Sequence, residues 1–196
     1  MWNTKTPGIP DEFFDRDEGV PITKEEVRVV QISKARLKPG MIVYDIGCGS
    51  GSISVEAALQ VEDSGHVHAV DNDVKAIELT KKNLAKFGVR NVSIINKDAN
   101  KAISDLPEAD AIFIGGTGKD TKEIVKLCQD KLKQGGRIVI GMILIETIFS
   151  VLSLIQELSF NSVDITQVTI SKSRKTSTGT MMLARNPVTV WAATKN

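Results

Sequence analysis

The chain is predicted to fold as an α/β domain built on a doubly wound, mostly parallel, seven-stranded sheet with an antiparallel edge strand. Two features carry this expectation. From about residue 41 to residue 158, short apolar runs alternate with stretches of helical spacing. The last two strand-like runs then follow one another with no helix between them, which points to an antiparallel pair at one edge. A length of 196 residues, 41% of them hydrophobic and 25% charged, suits one domain with a well-buried core.

Residues 1–22 hold Pro7, Pro10 and Pro21 and an acidic group at Asp11, Glu12, Asp15, Asp17 and Glu18, and read as an irregular arm or lid. Residues 23–196 then form the single domain. Thr23 stands three residues before Glu26, a capping box for a helix that runs to about Leu37 and stops before Pro39-Gly40. Met41–Ile46 is the first strand, followed by a glycine-rich turn, a helix near Ser52–Gln60 and a second strand at His66–Val70. Asp73 caps the next helix, whose Val74, Ile77, Leu84 and Phe87 keep helical spacing until Gly88 ends it. Val92–Ile95, Ala111–Ile114 and Arg137–Met142 are three further strands, with a helix near Thr121–Leu132 before the last. A helix near Glu146–Leu158 precedes the final strands at about Ser162–Ile170 and Val188–Ala193.

Composition narrows the function. The net charge of +1 gives no global field for nucleic acid, and no run approaches the ~18 apolar residues of a membrane span. With no signal-peptide core at Met1–Lys5, the cytoplasm is the expected compartment. Cys48 and Cys128 form no CxxC pair and are expected to be reduced thiols. His66 and His68 alternate along a strand without a third ligand, so no metal site is expected.

The strongest motif is Tyr44-Asp45-Ile46-Gly47-Cys48-Gly49-Ser50-Gly51, between the first strand and its helix. Its glycines allow a tight turn and a close approach of backbone to ligand. Asp71 lies 20 positions beyond Gly51, at the end of the second strand, where a carboxylate can accept bonds from both hydroxyls of a ribose. A pyridine-dinucleotide fingerprint would place glycine or alanine at position 52, which is Ser52. The GxGxG spacing instead resembles the cofactor loop of the Rossmann-like class I methyltransferases, and Asp98-Ala99 resembles the segment that borders the adenine in that family, which implies S-adenosylmethionine as the cofactor. The later cluster Gly115-Gly116-Thr117-Gly118-Lys119 fails the phosphate-loop pattern at Phe113 and Asp120. At the end of the fourth strand, Gly116 and Thr117 either open room for a bulky substrate or form a simple turn.

Over nearly its whole length the chain resembles the decarboxylating cobalt-precorrin-6B methyltransferases of cobalamin biosynthesis, which act at carbon 15 of the corrinoid ring. The resemblance rests on Pro21-Ile22-Thr23-Lys24-Glu25-Glu26-Val27-Arg28, the Asp45–Gly51 loop and Gly115–Gly118. It continues through Leu132–Arg137, Gly179-Thr180-Met181-Met182 and Arg185-Asn186-Pro187-Val188. It implies cofactor contacts from Thr23, Gly47, Cys48, Gly49, Ser50, Gly51, Asp71 and Ala99, a corrinoid substrate, and a homo-oligomer, in this family a tetramer.

A substrate with many carboxylates calls for basic groups. Lys172, Arg174 and Lys175, in a segment between the last two strands, supply them if that segment is not simply a solvated loop. No residue stands out as catalytic; Glu146 and Arg174 are the weak candidates. Methyl transfer to tRNA or another macromolecule, and binding of the cofactor without catalysis, remain alternatives at this point.

Overall fold

The computed structural model describes residues 2, 4–155, 157–158 and 160–196. In chain order the elements are α1 (Glu25–Ala35), β1 (Ile42–Ile46), α2 (Ser52–Val61), β2 (His66–Asp71), α3 (Val74–Phe87), β3 (Val92–Asn96), α4 (Ala99–Asp105) and β4 (Ala109–Ile114). There follow α5 (Thr121–Lys131), β5 (Leu132–Met142), α6 (Ile145–Ile155), β6 (Phe160–Val168), β7 (Ser171–Lys175), β8 (Thr180–Ala184) and β9 (Val188–Lys195).

Seven strands form one sheet in the order β3-β2-β1-β4-β5-β9-β6. The first five are parallel, and β9 runs against both β5 and β6. The antiparallel pair expected at one edge is therefore β9 with β6. Strand alternation divides the core in two. Tyr44, Ile46, Ile112, Ile114, Ile138, Ile140 and Trp191 pack on the side of α4, α5 and α6. Val43, Ala111, Phe113, Val139 and Val190 face α1 and α2. Strand order reverses between β1 and β4, which opens a crevice at their carboxyl ends.

Four expectations need correction. Thr23 does not cap α1: the N-cap is Lys24, without a side-chain cap bond, and the amide of Glu25 donates to Asp11 Oδ1 at 2.9 Å. A carboxylate brought from 14 residues upstream does the work assigned to the local hydroxyl. The arm over 1–22 is irregular apart from a 3-10 turn at Asp11–Phe13, yet it is sealed into the body. Ile9 and Phe14 are buried with Val55, Leu84 and Phe87, and Glu56 of α2 accepts the amides of Gly8 and Ile9, each at 3.0 Å. The helix α4 was not expected at all. Finally, the presumed loop at 171–175 is strand β7, paired with β8 in a separate two-stranded hairpin.

Candidate active site

The loop after β1 is shaped by contacts that leave no room for side chains. Gly47 has φ +75°, and a Cβ there would stand 1.9 Å from the carbonyl oxygen of Gly115, so the two glycine loops are in direct contact. The amides of Gly47 and Cys48 donate to the Val70 carbonyl at 2.8 and 3.1 Å, and that of Ser50 to the Pro21 carbonyl at 3.2 Å. Gly49 donates to Asp71 Oδ2 at 2.9 Å, which ties the loop to the end of β2.

From behind, α3 holds the loop with two polar residues. Thr80 Oγ1 donates to the Gly49 carbonyl at 3.0 Å, and Asn83 Nδ2 to the Ser50 carbonyl at 2.8 Å. Both are fully buried. Sequence reasoning passed over them, although they share the helical face of Ala76, Ile77, Leu84 and Phe87. Polar residues on an apolar helical face were the available signal.

Two cavities meet over this loop, sharing Pro21, Gly47, Gly49 and Gly116. One, of about 260 Å3, is the more polar of the two and lies over β2 and the start of α4, with Asp71, Asn72, Asp98, Ala99 and Asn100 in its wall. The other, of about 240 Å3, is mainly apolar and reaches towards β4, β5 and α1, lined by Thr23, Val27, Asp45, Cys48, Ile53 and Phe113 among others.

Asp45 is the unusual group of the apolar cavity. The residue is 3% exposed, and its carboxyl accepts from Ser54 Oγ at 2.5 Å. Burial pushes its pKa up to about 7, against the hydrogen bond from Ser54 and with a small addition from the charge of Asp71. Burial likewise raises the Cys48 thiol, with the charge of Asp45 adding to it, and keeps that residue unreactive.

Because Asp45 holds its proton more tightly when folded, its contribution to stability is complete below about pH 4 and is lost as pH rises to about 7. Relative to wild type, Asp45→Asn is expected to gain up to ~4 kcal/mol between pH 4 and pH 8. Thermal denaturation of both proteins across that range checks it; parallel curves would rule the titration out.

The sequence profile of the precorrin methyltransferase domain matches residues 12–195. The chain belongs to this family. A Saccharolobus solfataricus protein described as a probable cobalt-precorrin-6B C(15)-methyltransferase (decarboxylating) is 47% identical over 99% of this chain and 98% of its own length. A Sulfurisphaera tokodaii protein of the same description is 49% identical over 94% and 95% of the two chains. Among solved structures, a precorrin 8W decarboxylase of Methanobacterium thermoautotrophicum superposes with a TM-score of 0.88 at 36% identity, covering 94% of this chain and 98% of that one.

In this precorrin methyltransferase, Thr23, Gly47, Cys48, Gly49, Asp71 and Ala99 all line the paired cavities, as do Gly116 and Thr117. Ser50 and Gly51 line neither: Ser50 is buried with its hydroxyl unpaired among the described residues, and Gly51 packs on Thr80. The basic segment is not brought to the cavities. Lys172 is held by Glu25 at 3.0 Å and Glu26 at 2.5 Å, a tie between the hairpin and α1, while Arg174 and Lys175 are exposed on β7. Glu146 is exposed in the first turn of α6 and lines neither cavity. The cation that the structure does place on the apolar cavity is Lys24, whose pKa burial lowers against the pull of Asp11.

Proposed function

We propose that this precorrin methyltransferase transfers a methyl group from S-adenosylmethionine to carbon 15 of a cobalt-precorrin and releases the ring C acetate carboxyl as carbon dioxide. One observation carries the reading: a polar cavity and an apolar cavity share the glycine loop, with Asp71 in the first and the buried Asp45 in the second.

The residues fit the cofactor. Asp71, at the end of β2, supports the reading as acceptor of ribose hydroxyls: both its oxygens keep a free lone pair beside the bonds to Gly49 and Asp73. The buried acceptor Asn100 Oδ1 has no partner among the described residues and lies in a residue of the same cavity wall, which suits an adenine amino group. Asp45, strained as a lone buried anion, suits a ligand that carries positive charge, as S-adenosylmethionine does at its sulfonium and ammonium groups. When bound, that cofactor supplies an electrophilic methyl group.

The chain's task is then position and exclusion of water. Lys24, Asp45 and Cys48 are the titratable groups lining the apolar cavity, and Ile53, Phe113 and Val27 make its walls. In the decarboxylation, the bond to the carboxyl carbon breaks and its electron pair passes into the conjugated macrocycle, balancing the positive charge brought by the methyl group; the methylene left on ring C then gains a proton and the macrocycle loses one. Transfer of labelled methyl from S-adenosylmethionine to cobalt-precorrin-6B, with tRNA as a parallel acceptor, tests the reading. Label in the corrinoid alone supports it; label in tRNA alone overturns it.

The enzyme is further proposed to act in the cytoplasm as a homotetramer. No helix among the described residues is long and apolar enough to cross a membrane. Ile143, Leu144, Ile145 and Phe149 lie exposed around the start of α6, as do Met181, Met182 and Leu183 on β8, and apolar surface of this extent suits a contact between subunits. Light scattering on the eluting protein is expected to give a tetramer, and Phe149→Glu a smaller species. A monomeric wild type would overturn the assembly.

A further inference from the structure

Lys24, Val27 and Gln31 follow one another at spacings of three and four along α1 and all line the apolar cavity. Gln31 is 6% exposed, and its side-chain amide, which is open to the cavity, makes no hydrogen bond among the described residues. Buried amides are ordinarily paired, because desolvation without a partner is unfavourable. The opposite wall has given way to it. Gly141, near the carboxyl end of β5, would with a Cβ stand 2.2 Å from Gln31 Nε2. A strand position beside Ile140 and Met142 has no side chain, and the amide occupies the space.

We infer that the Gln31 amide receives a carboxylate arm of the acceptor substrate, its N–H donating to a carboxylate oxygen. The inference rests on the function proposed above and deepens it by naming a residue that recognises the corrinoid. Asp45 brings the cofactor's charged end into the same cavity, so the cofactor's own carboxylate is the competing anion, and affinity for S-adenosylhomocysteine, which carries that carboxylate, separates the two. Gln31 lines only the cavity that reaches β5, in company with Gly141 and Ile143, and is absent from the wall of the polar cavity that holds Asp71. Charge agrees. Asp45 answers a cation in that cavity, whereas an amide with Lys24 two turns before it on the same helical face answers an anion.

Steady-state kinetics of Gln31→Leu and Gly141→Ala test it, read against cofactor affinity and melting temperature. In each variant KM for cobalt-precorrin-6B is expected to rise about 10- to 100-fold, with affinity for S-adenosylhomocysteine unchanged. Gln31→Leu should melt no lower than wild type, since the amide faces the cavity and no bond within the protein is lost, and a merely structural glutamine would not show that split. An unchanged KM, or a matching loss of cofactor affinity, overturns the assignment. Should the leucine variant not fold, the near-isosteric Gln31→Glu decides: repulsion raises KM further, and an unchanged KM again overturns it. A wild type that neither binds nor converts the corrinoid is a different result and removes the functional reading together with this one.

Discussion

Replacing Arg28 with methionine is expected to destabilise the protein by about 3–5 kcal/mol and to lower its melting temperature by roughly 6–20 °C. Arg28 is wholly buried, and its guanidinium joins the N-terminal arm to α1 and α2. Nε donates to Glu56 Oε1 at 2.6 Å, one terminal nitrogen to the Thr23 carbonyl at 2.5 Å and to Asp11 Oδ1 at 3.4 Å, and the other to the Ile9 carbonyl. Its charge also lies 4.8 Å from the centre of the Phe14 ring. Methionine fills much of the same volume but leaves two carboxylates buried with fewer donors. That imbalance, and not lost packing, dominates the expected effect. Glu56→Leu in the same background should therefore recover part of the loss. A single variant melting within about 2 °C of wild type would show that the network is energetically neutral.

Asp71→Ala is expected to weaken S-adenosylhomocysteine binding about 100-fold or more, from two charge-assisted bonds worth about 1.5–3 kcal/mol each. It also releases the Gly49 amide and so loosens the loop that both cavities share. Asp71→Asn keeps a neutral acceptor at the same place and should fall between, near a tenfold loss. Titration calorimetry on the three proteins orders them. Equal affinities would remove Asp71 from the site.

What was legible in the sequence was what local chemistry decides. The glycine loop and Asp71 could be read because a tight turn and a strand-end carboxylate each leave a fixed local pattern, and both lie on the cavities. The fold followed from burial: β1, β2 and β4 are apolar because both faces of the sheet are covered. The β7–β8 hairpin escaped because most of its residues face solvent, so no burial imposes a period of two on Ser171–Lys175. The helix α4 is short, with Asn100 and Lys101 near its start, and offers little apolar periodicity.

Two pairings near the candidate site share one cause. Lys172 meets Glu25 across 147 positions of sequence, and the Asp11 bond to the Glu25 amide replaces the expected Thr23 cap. Neither pairing leaves a local trace. Gln31, Thr80 and Asn83 do leave a trace, because each is a polar residue on a buried helical face, which apolar periodicity alone does not register.

The reading as a whole predicts that methylation and decarboxylation occur on the same molecule. The direct measurement uses S-adenosylmethionine labelled in its methyl group and cobalt-precorrin-6B labelled in the ring C acetate carboxyl, with both labels followed into corrinoid and gas. One methyl gained by the corrinoid for each carbon dioxide released is the expected result. A methylated corrinoid that keeps its acetate label would contradict it.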